Sequence, residues 1–190
     1  MRLAAGVEYD GSGFLGWQRQ RQTPTVQACL EEALSSVANH PLTIHCAGRT
    51  DSGVHARCQV VHFDTEARRS ERAWVLGTNT RLPDGISLLW ARPVDEQFHA
   101  RFSARRRRYR YRILNRWIRP AIERGRVTWI RHRLDEDLMA EAARSLLGEH
   151  DFTSFRAVGC QARSPVRHVF EAGVVRRGHE TVEILSLRLF

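Results

Sequence analysis

Between residues 3 and 94 the hydrophobic period of the chain switches repeatedly between two and about 3.6, and the order of those switches leaves few folds open. Leu3, Ala5, Val7 and Tyr9 alternate as a strand. Val26, Leu30, Ala33, Leu34 and Val37 recur at helical spacing behind Thr23-Pro24-Thr25, which reads as a helix start. Leu42 to Ala47 and Arg57 to Asp64 read as two strands, and Ser70-Glu71 opens a short helix carrying Trp74, Val75 and Leu76. Ile86 to Val94 returns as a strand. The order β-α-β-β-α-β predicts the split-βαβ, ferredoxin-like arrangement.

A similar unit starts again beyond residue 103. A strand near Val127 to Arg131 leads to a helix from about Asp135 to Leu147, with Asp135 as N-cap and Gly148 as its stop. Leu138, Ala142 and Leu146 share one face of that helix. Arg167 to Arg176 and Thr181 to Phe190 form a hairpin around Arg177-Gly178-His179-Glu180. By analogy with the first half a helix and a strand should follow, so the second unit reads as incomplete and the chain as truncated. The expected fold class is α+β: two tandem ferredoxin-like units, 1–103 and 104–190, with a mainly antiparallel sheet.

The 190 residues, 42% hydrophobic and 27% charged, suit a soluble globular protein with ample core. No apolar run approaches the roughly 20 residues needed to span a bilayer. The opening MRLAAGVEYDG enters a strand pattern at once, without the layout of a signal peptide. Cys29, Cys46, Cys58 and Cys160 form no CxxC pair, which points to reduced thiols and a cytoplasmic location. All 30 basic residues are arginine. Between Arg101 and Arg133 stand 13 arginines against one acid, Glu123, a local formal charge of +12 in a chain whose total is +9. Arginine concentrated in this way is the footprint of a polyphosphate partner. A membrane surface would require a matching apolar helical face, which the segment lacks.

Within that segment RRRRYRYRILN, Arg105 to Asn115, reads as a strand. With a period of two, Arg107, Tyr109, Tyr111 and Ile113 share one face and Arg106, Arg108, Arg110 and Arg112 the other. An arginine face can track phosphates while tyrosines stack on bases. The plainer alternative is a solvated face over a half-buried aromatic one.

The stretch GRTDSGVHA, Gly48 to Ala56, joins the second and third strands and places Asp51 two residues after Arg49. In an apolar cleft Arg49 would hold that carboxylate ionised, and Gly48 and Gly53 would permit positive φ angles. On spacing alone, an Asx-type turn in which Asp51 caps its own backbone is an equal alternative. His45, Cys46, His55, Cys58 and His62 surround the loop but fit no common zinc spacing, so no metal is expected. Neither GxxxxGK[ST] nor GxGxxG occurs, so no nucleotide cofactor is expected. Asp10-Gly11-Ser12-Gly13 is too common in turns to be diagnostic.

Four motifs in order, YDGSGFLGWQRQ (Tyr9 to Gln20), AGRTDSGVHA (Ala47 to Ala56), FHARFSARRRRYRYRI (Phe98 to Ile113) and DFTSFRA (Asp151 to Ala157), resemble the tRNA pseudouridine synthase A family. The resemblance implies Asp51 as catalytic carboxylate, Arg49 beside the extruded base, and Tyr109 packed against the uracil as a candidate proton acceptor. It further implies substrate contacts by Gln18, Arg107, Arg108 and Arg110. It implies the pseudouridine synthase fold with its two units joined in one extended sheet, a homodimer, and tRNA as partner. The reaction would convert uridine to pseudouridine at positions 38, 39 or 40 of the anticodon stem-loop, without cofactor. The family continues with an HHMVRNIVG-like helix and a final strand that supply another active-site arginine. Their absence, and a closing LSLRLF where an ANAF-like run is expected, leave open an alternative: a catalytically impaired, RNA-binding remnant.

Overall fold

Strand β1 (Arg2–Tyr9) is the spine of the first unit because residues on both of its faces are apolar or small. Leu3, Ala4, Ala5, Val7 and Tyr9 are all buried. It pairs antiparallel with β3 (Ala56–Asp64) on one side, Leu3 opposite Phe63 and Ala5 opposite Val61, and with β4 (Ile86–Val94) on the other. A two-residue strand β2 (His45–Cys46) completes the order β2-β3-β1-β4. With α1 (Val26–Ala38) after β1 and α2 (Glu71–Asn79) after β3, this is the antiparallel split-βαβ topology that the periodicities predict.

Both helices start where side chains cap them. Thr25 accepts a hydrogen bond from the Ala28 N–H, and Ser70 accepts one from the Ala73 N–H. From α1, Leu30 and Leu34 are fully buried against the sheet, while Val37 is only half-buried. From α2, Trp74 is buried and meets Phe63 edge-on at 5.4 Å, whereas Leu76 is exposed. Truncating such an aromatic to alanine costs about 3–5 kcal/mol.

The computed structural model describes residues 1–21, 24–156 and 164–188, the last two of them by backbone alone. Thr23, Ala157, Cys160 and the closing Leu189-Phe190, to which the sequence assigned a helix start, a motif end, a thiol and a strand end, lie outside the described residues. The chain divides into two compact units, Met1–Ala104 and Arg105–Phe190.

Among the described residues the second unit is a sheet of order β6-β5-β9-β8-β7 with one α-helix and a short 3-10 turn. Its strands are β5 (Arg107–Asn115), β6 (Thr128–Ile130), β7 (Gly148–Asp151), β8 (Val166–Arg177) and β9 (Thr181–Arg188); the helix is α3 (Glu136–Arg144). Among the described strands of this unit only β5 and β6 run parallel. Among the described residues the ladders form two mainly antiparallel sheets, one in each unit, the α+β class expected.

Helix α3 differs from its expected orientation. Leu138 and Leu146 are exposed, at 64% and 43%, and Ala143 is buried instead. The cause is a long-range ion pair: Arg176 of β8 grips Glu136 through contacts of 2.8 and 2.9 Å and also donates to the Leu134 carbonyl. That grip turns residues 136, 139, 140 and 143 toward the sheet. The Arg176 guanidinium holds the Glu136 carboxyl at about 2, below the usual carboxylate range. The helix ends at Ser145, earlier than expected; tight turns carry the chain to Gly148, which at φ +94° opens β7.

Candidate active site

The Asp51 loop is built from main chain clamped on two sides. Its entry barely forms a strand, because a side chain replaces the ladder: the buried Gln59 amide accepts from the Gly48 N–H and donates to the Gly48 carbonyl. At the centre, Thr50 turns into the unit. Its hydroxyl lies 2.9 Å from the Tyr9 hydroxyl, and its carbonyl accepts from the Trp17 N–H at 2.9 Å. Ser52 donates to the Phe14 carbonyl at 3.3 Å. His55 accepts from the Gly11 N–H at 3.1 Å, beside the Asp10 carboxylate.

Apart from Gln59 of β3 and Tyr9 at the end of β1, these partners come from the Gly-rich stretch after β1, which composition alone could not single out. Gly16 adopts φ +84°, and a Cβ there would fall 2.9 Å from the Thr50 carbonyl oxygen. Only glycine allows that approach. Gly53 likewise adopts φ +77°, whereas Gly48 is not among the positive-φ residues.

With Thr50 held inward, its neighbours Arg49 and Asp51 are both exposed. Asp51 therefore does not sit in an apolar cleft of its own unit. Nor does its side chain close the turn. The Val54 N–H donates to the Asp51 carbonyl at 3.2 Å, and among the described residues no hydrogen bond engages the carboxylate. The result is a carboxylate presented from a loop fixed by its own backbone, the arrangement that positions a reacting group without consuming its lone pairs.

Helix α1 supports the same clamp. Glu31, only 5% exposed, accepts from the Ile44 N–H at 3.1 Å and from Gln27 at 2.9 Å, and pairs with Arg19 at 2.5 Å. Gln27 in turn accepts from the Arg19 N–H and donates its own N–H to the Trp17 carbonyl. Glu31 thus ties together the two chain segments that meet at Thr50. Gln18, next to Trp17, is exposed and lines an open cleft with Arg19, Gln27 and Glu31.

The histidines expected to surround the loop part company. His55 serves the clamp, while His62 is 2% exposed and stacks on His45 at 5.0 Å and against His99 at 4.5 Å. His99 had no sequence signal linking it to the other two. Burial, then the neighbouring His99 and His45, push His62 down to about 4. Its Nδ1 accepts from the Ala100 N–H, so the neutral ring has a structural task.

In the second unit the arginine strand is less uniform than its sequence. Arg108 and Arg110 are exposed and Arg107 is half-buried. Tyr109 and Tyr111, 41% and 53% exposed, form an open aromatic face rather than a half-buried one. On the opposite face Glu183 of β9, only 5% exposed, lies 3.9 Å from Arg110, 3.7 Å from Arg112 and 2.8 Å from Arg177. Glu123 takes the outer side of Arg112 at 2.8 Å. The three arginines around Glu183 hold its carboxyl below the usual range, Arg177 most strongly. Cross-strand pairing thus supplies the acid that the strand itself lacks.

The first unit thus carries an exposed carboxylate on a clamped loop, and the second an arginine–tyrosine strand. A family profile described as tRNA pseudouridine synthase matches residues 5–103 and 142–188. The chain belongs to that family, whose members are isomerases acting on uridine in tRNA. Among relatives named tRNA pseudouridine synthase A, that of Shewanella woodyi (strain ATCC 51908 / MS32) is 61% identical over 178 residues, 94% of this chain and 68% of the relative. The protein of that name from Stenotrophomonas maltophilia (strain K279a) is 57% identical over 185 residues, 97% of this chain and 72% of its own. That from Shewanella sp. (strain MR-4) is 55% identical over 190 residues, the whole of this chain and 73% of its own.

Proposed function

We propose that this protein isomerises uridine to pseudouridine in the anticodon stem-loop of tRNA, at positions 38, 39 or 40, with Asp51 as the catalytic carboxylate. The observation that carries this reading is the clamp on Thr50, Ser52 and His55, which presents Asp51 with its oxygens free of protein donors among the described residues. Family membership supports tRNA as the substrate.

The reaction breaks the bond from ribose C1′ to uracil N1, turns the base, and joins C1′ to C5. N1 gains a proton and C5 loses one, so no redox partner or energy input is needed. An ionised carboxylate serves either as nucleophile at C1′ or as base for the C2′ proton. Deuterium at C2′ separates these routes, since only the second gives a primary isotope effect. Extruding the base costs a few kcal/mol. In this reading Arg49 fills the gap it leaves, Tyr109 stacks on the uracil and relays the C5 proton, and Gln18, Arg107, Arg108 and Arg110 hold the RNA. A cytoplasmic homodimer is part of the same reading.

The test is tritium release from tRNA labelled at uracil C5. The unaltered chain should release label and Asp51→Ala should release none above background, while both bind tRNA equally. Full activity in Asp51→Ala would refute the assignment. Binding without release by the unaltered chain would favour a binding-only role.

A further inference from the structure

The loop between β5 and β6 displays apolar side chains in the most basic part of the chain. Trp117 is 66% exposed, Ile118 62% and Ile122 98%. The same stretch of sequence carries the exposed Arg119, Arg124, Arg131 and Arg133. Glu123, the acid among them, is taken by Arg112. An exposed tryptophan on a slack loop would mean little, but this loop is pinned at its root. The Trp129 indole N–H donates to the Arg116 carbonyl at 2.9 Å. The Arg116 guanidinium reaches the Ile118 carbonyl at 2.8 Å and Glu180, in the β8–β9 turn, at 3.1 Å.

Trp117 itself is backed by a cation. The Arg131 guanidinium carbon lies 3.7 Å from its ring centroid. One ring face is therefore covered by a planar positive group, and the remaining exposure falls largely on the other. A ring backed on one face by a guanidinium, 66% exposed and in a stretch rich in exposed arginines, matches an unpaired nucleobase with its phosphates. An apolar protein partner would not select for so dense a cationic rim.

We infer that Trp117, backed by Arg131, is a stacking platform for an unpaired base of the bound RNA, separate from the contacts assigned to Asp51 and to the β5 strand. This rests on the reading of tRNA as substrate. Trp117→Ala should weaken binding of an unmodified tRNA transcript about five- to a hundredfold, the range for loss of one base–aromatic stack. The slope of log affinity against log salt should not change, because no phosphate contact is lost. Trp117→Tyr, which keeps a stacking face, should restore most of the affinity. Tritium release at saturating tRNA should keep the same kcat, with KM raised.

Quenching of tryptophan fluorescence by tRNA, reduced in Trp117→Phe, locates the contact should the alanine variant fold poorly. Wild-type affinity in Trp117→Ala, with release intact, overturns this inference alone. Failure of the unaltered chain to bind tRNA overturns it together with the substrate reading. If Trp117→Ala instead lowers the sedimenting mass while leaving RNA affinity intact, the surface belongs to a second copy and the inference is wrong.

Discussion

Gly16→Ala tests whether the backbone clamp, rather than the mere presence of Asp51, sustains catalysis. The new methyl group meets two obstacles. At φ +84° an alanine is disfavoured by about 1–2 kcal/mol. Its Cβ would also fall 2.9 Å from the Thr50 carbonyl oxygen, 3.2 Å from the Asp51 carbonyl carbon and 3.3 Å from the Ser52 nitrogen, where ordinary contact begins at 3.4 Å. All three are backbone atoms of the loop that carries the carboxylate, so relief moves that loop by several tenths of an ångström. A misplacement of about 1 Å can cost a hundredfold in rate, so a roughly tenfold to hundredfold fall in kcat is expected, with tRNA affinity unchanged. Gly13→Ala is the matched control, since a Cβ there meets nothing within 4 Å. Single-turnover tritium release would be measured for both variants, with urea unfolding to follow stability. The reasoning fails if Gly16→Ala loses stability but keeps wild-type kcat, or if Gly13→Ala is equally impaired.

Acid should loosen the first unit through His62. Its pKa in the fold, about 4, lies below the ordinary 6.5, so between those values the unfolded chain binds the extra proton and stability falls as pH drops. The loss at pH 5 is on the order of 1–2 kcal/mol. His62→Asn, which keeps an acceptor for Ala100, should flatten the dependence of the urea midpoint between pH 7 and 5; a ring signal titrating near 6.5 by NMR would contradict this. Glu31→Ala leaves the Ile44 N–H and Gln27 without their buried acceptor, at a cost of about 2–3 kcal/mol in chemical unfolding. It should also lower kcat more than it raises KM, because the lost bonds brace the segments meeting at Thr50; an unchanged kcat at a temperature where the variant is folded would argue against that link.

What could be read from the chain without coordinates was the local part. Alternation in Leu3 to Tyr9, the caps Thr25, Ser70 and Asp135, and the strand Ile86 to Val94 are all decided by neighbouring residues, and each stands where expected. The departures come from partners far apart in sequence. Arg176 turns α3 about its axis from 40 residues away, a rotation that the pattern Leu138, Ala142, Leu146 could not contain. Glu183 tempers an arginine face that looks unopposed when β5 is read by itself. For the candidate site, GRTD drew attention to the loop by its residue types. The clamp went unseen because Asp10-Gly11-Ser12-Gly13 has turn chemistry found anywhere, and only the fold reveals that Gly11 and Gly16 abut the loop. His99 joins His62 only once strand β3 and the segment after β4 lie side by side.

The clamp also has a consequence for the order of synthesis. Every group that fixes the Asp51 loop, from Tyr9 through Glu31 to Gln59, is translated before the last strand of its own sheet ends at Val94. The arginine-rich strand begins at Arg107. At ribosomal speeds of about 5–20 residues per second, the platform for the carboxylate has all its parts in hand before the cationic strand follows it out of the exit tunnel. A nascent chain can thus settle its most exacting geometry before it exposes the surface most apt to seize any RNA nearby.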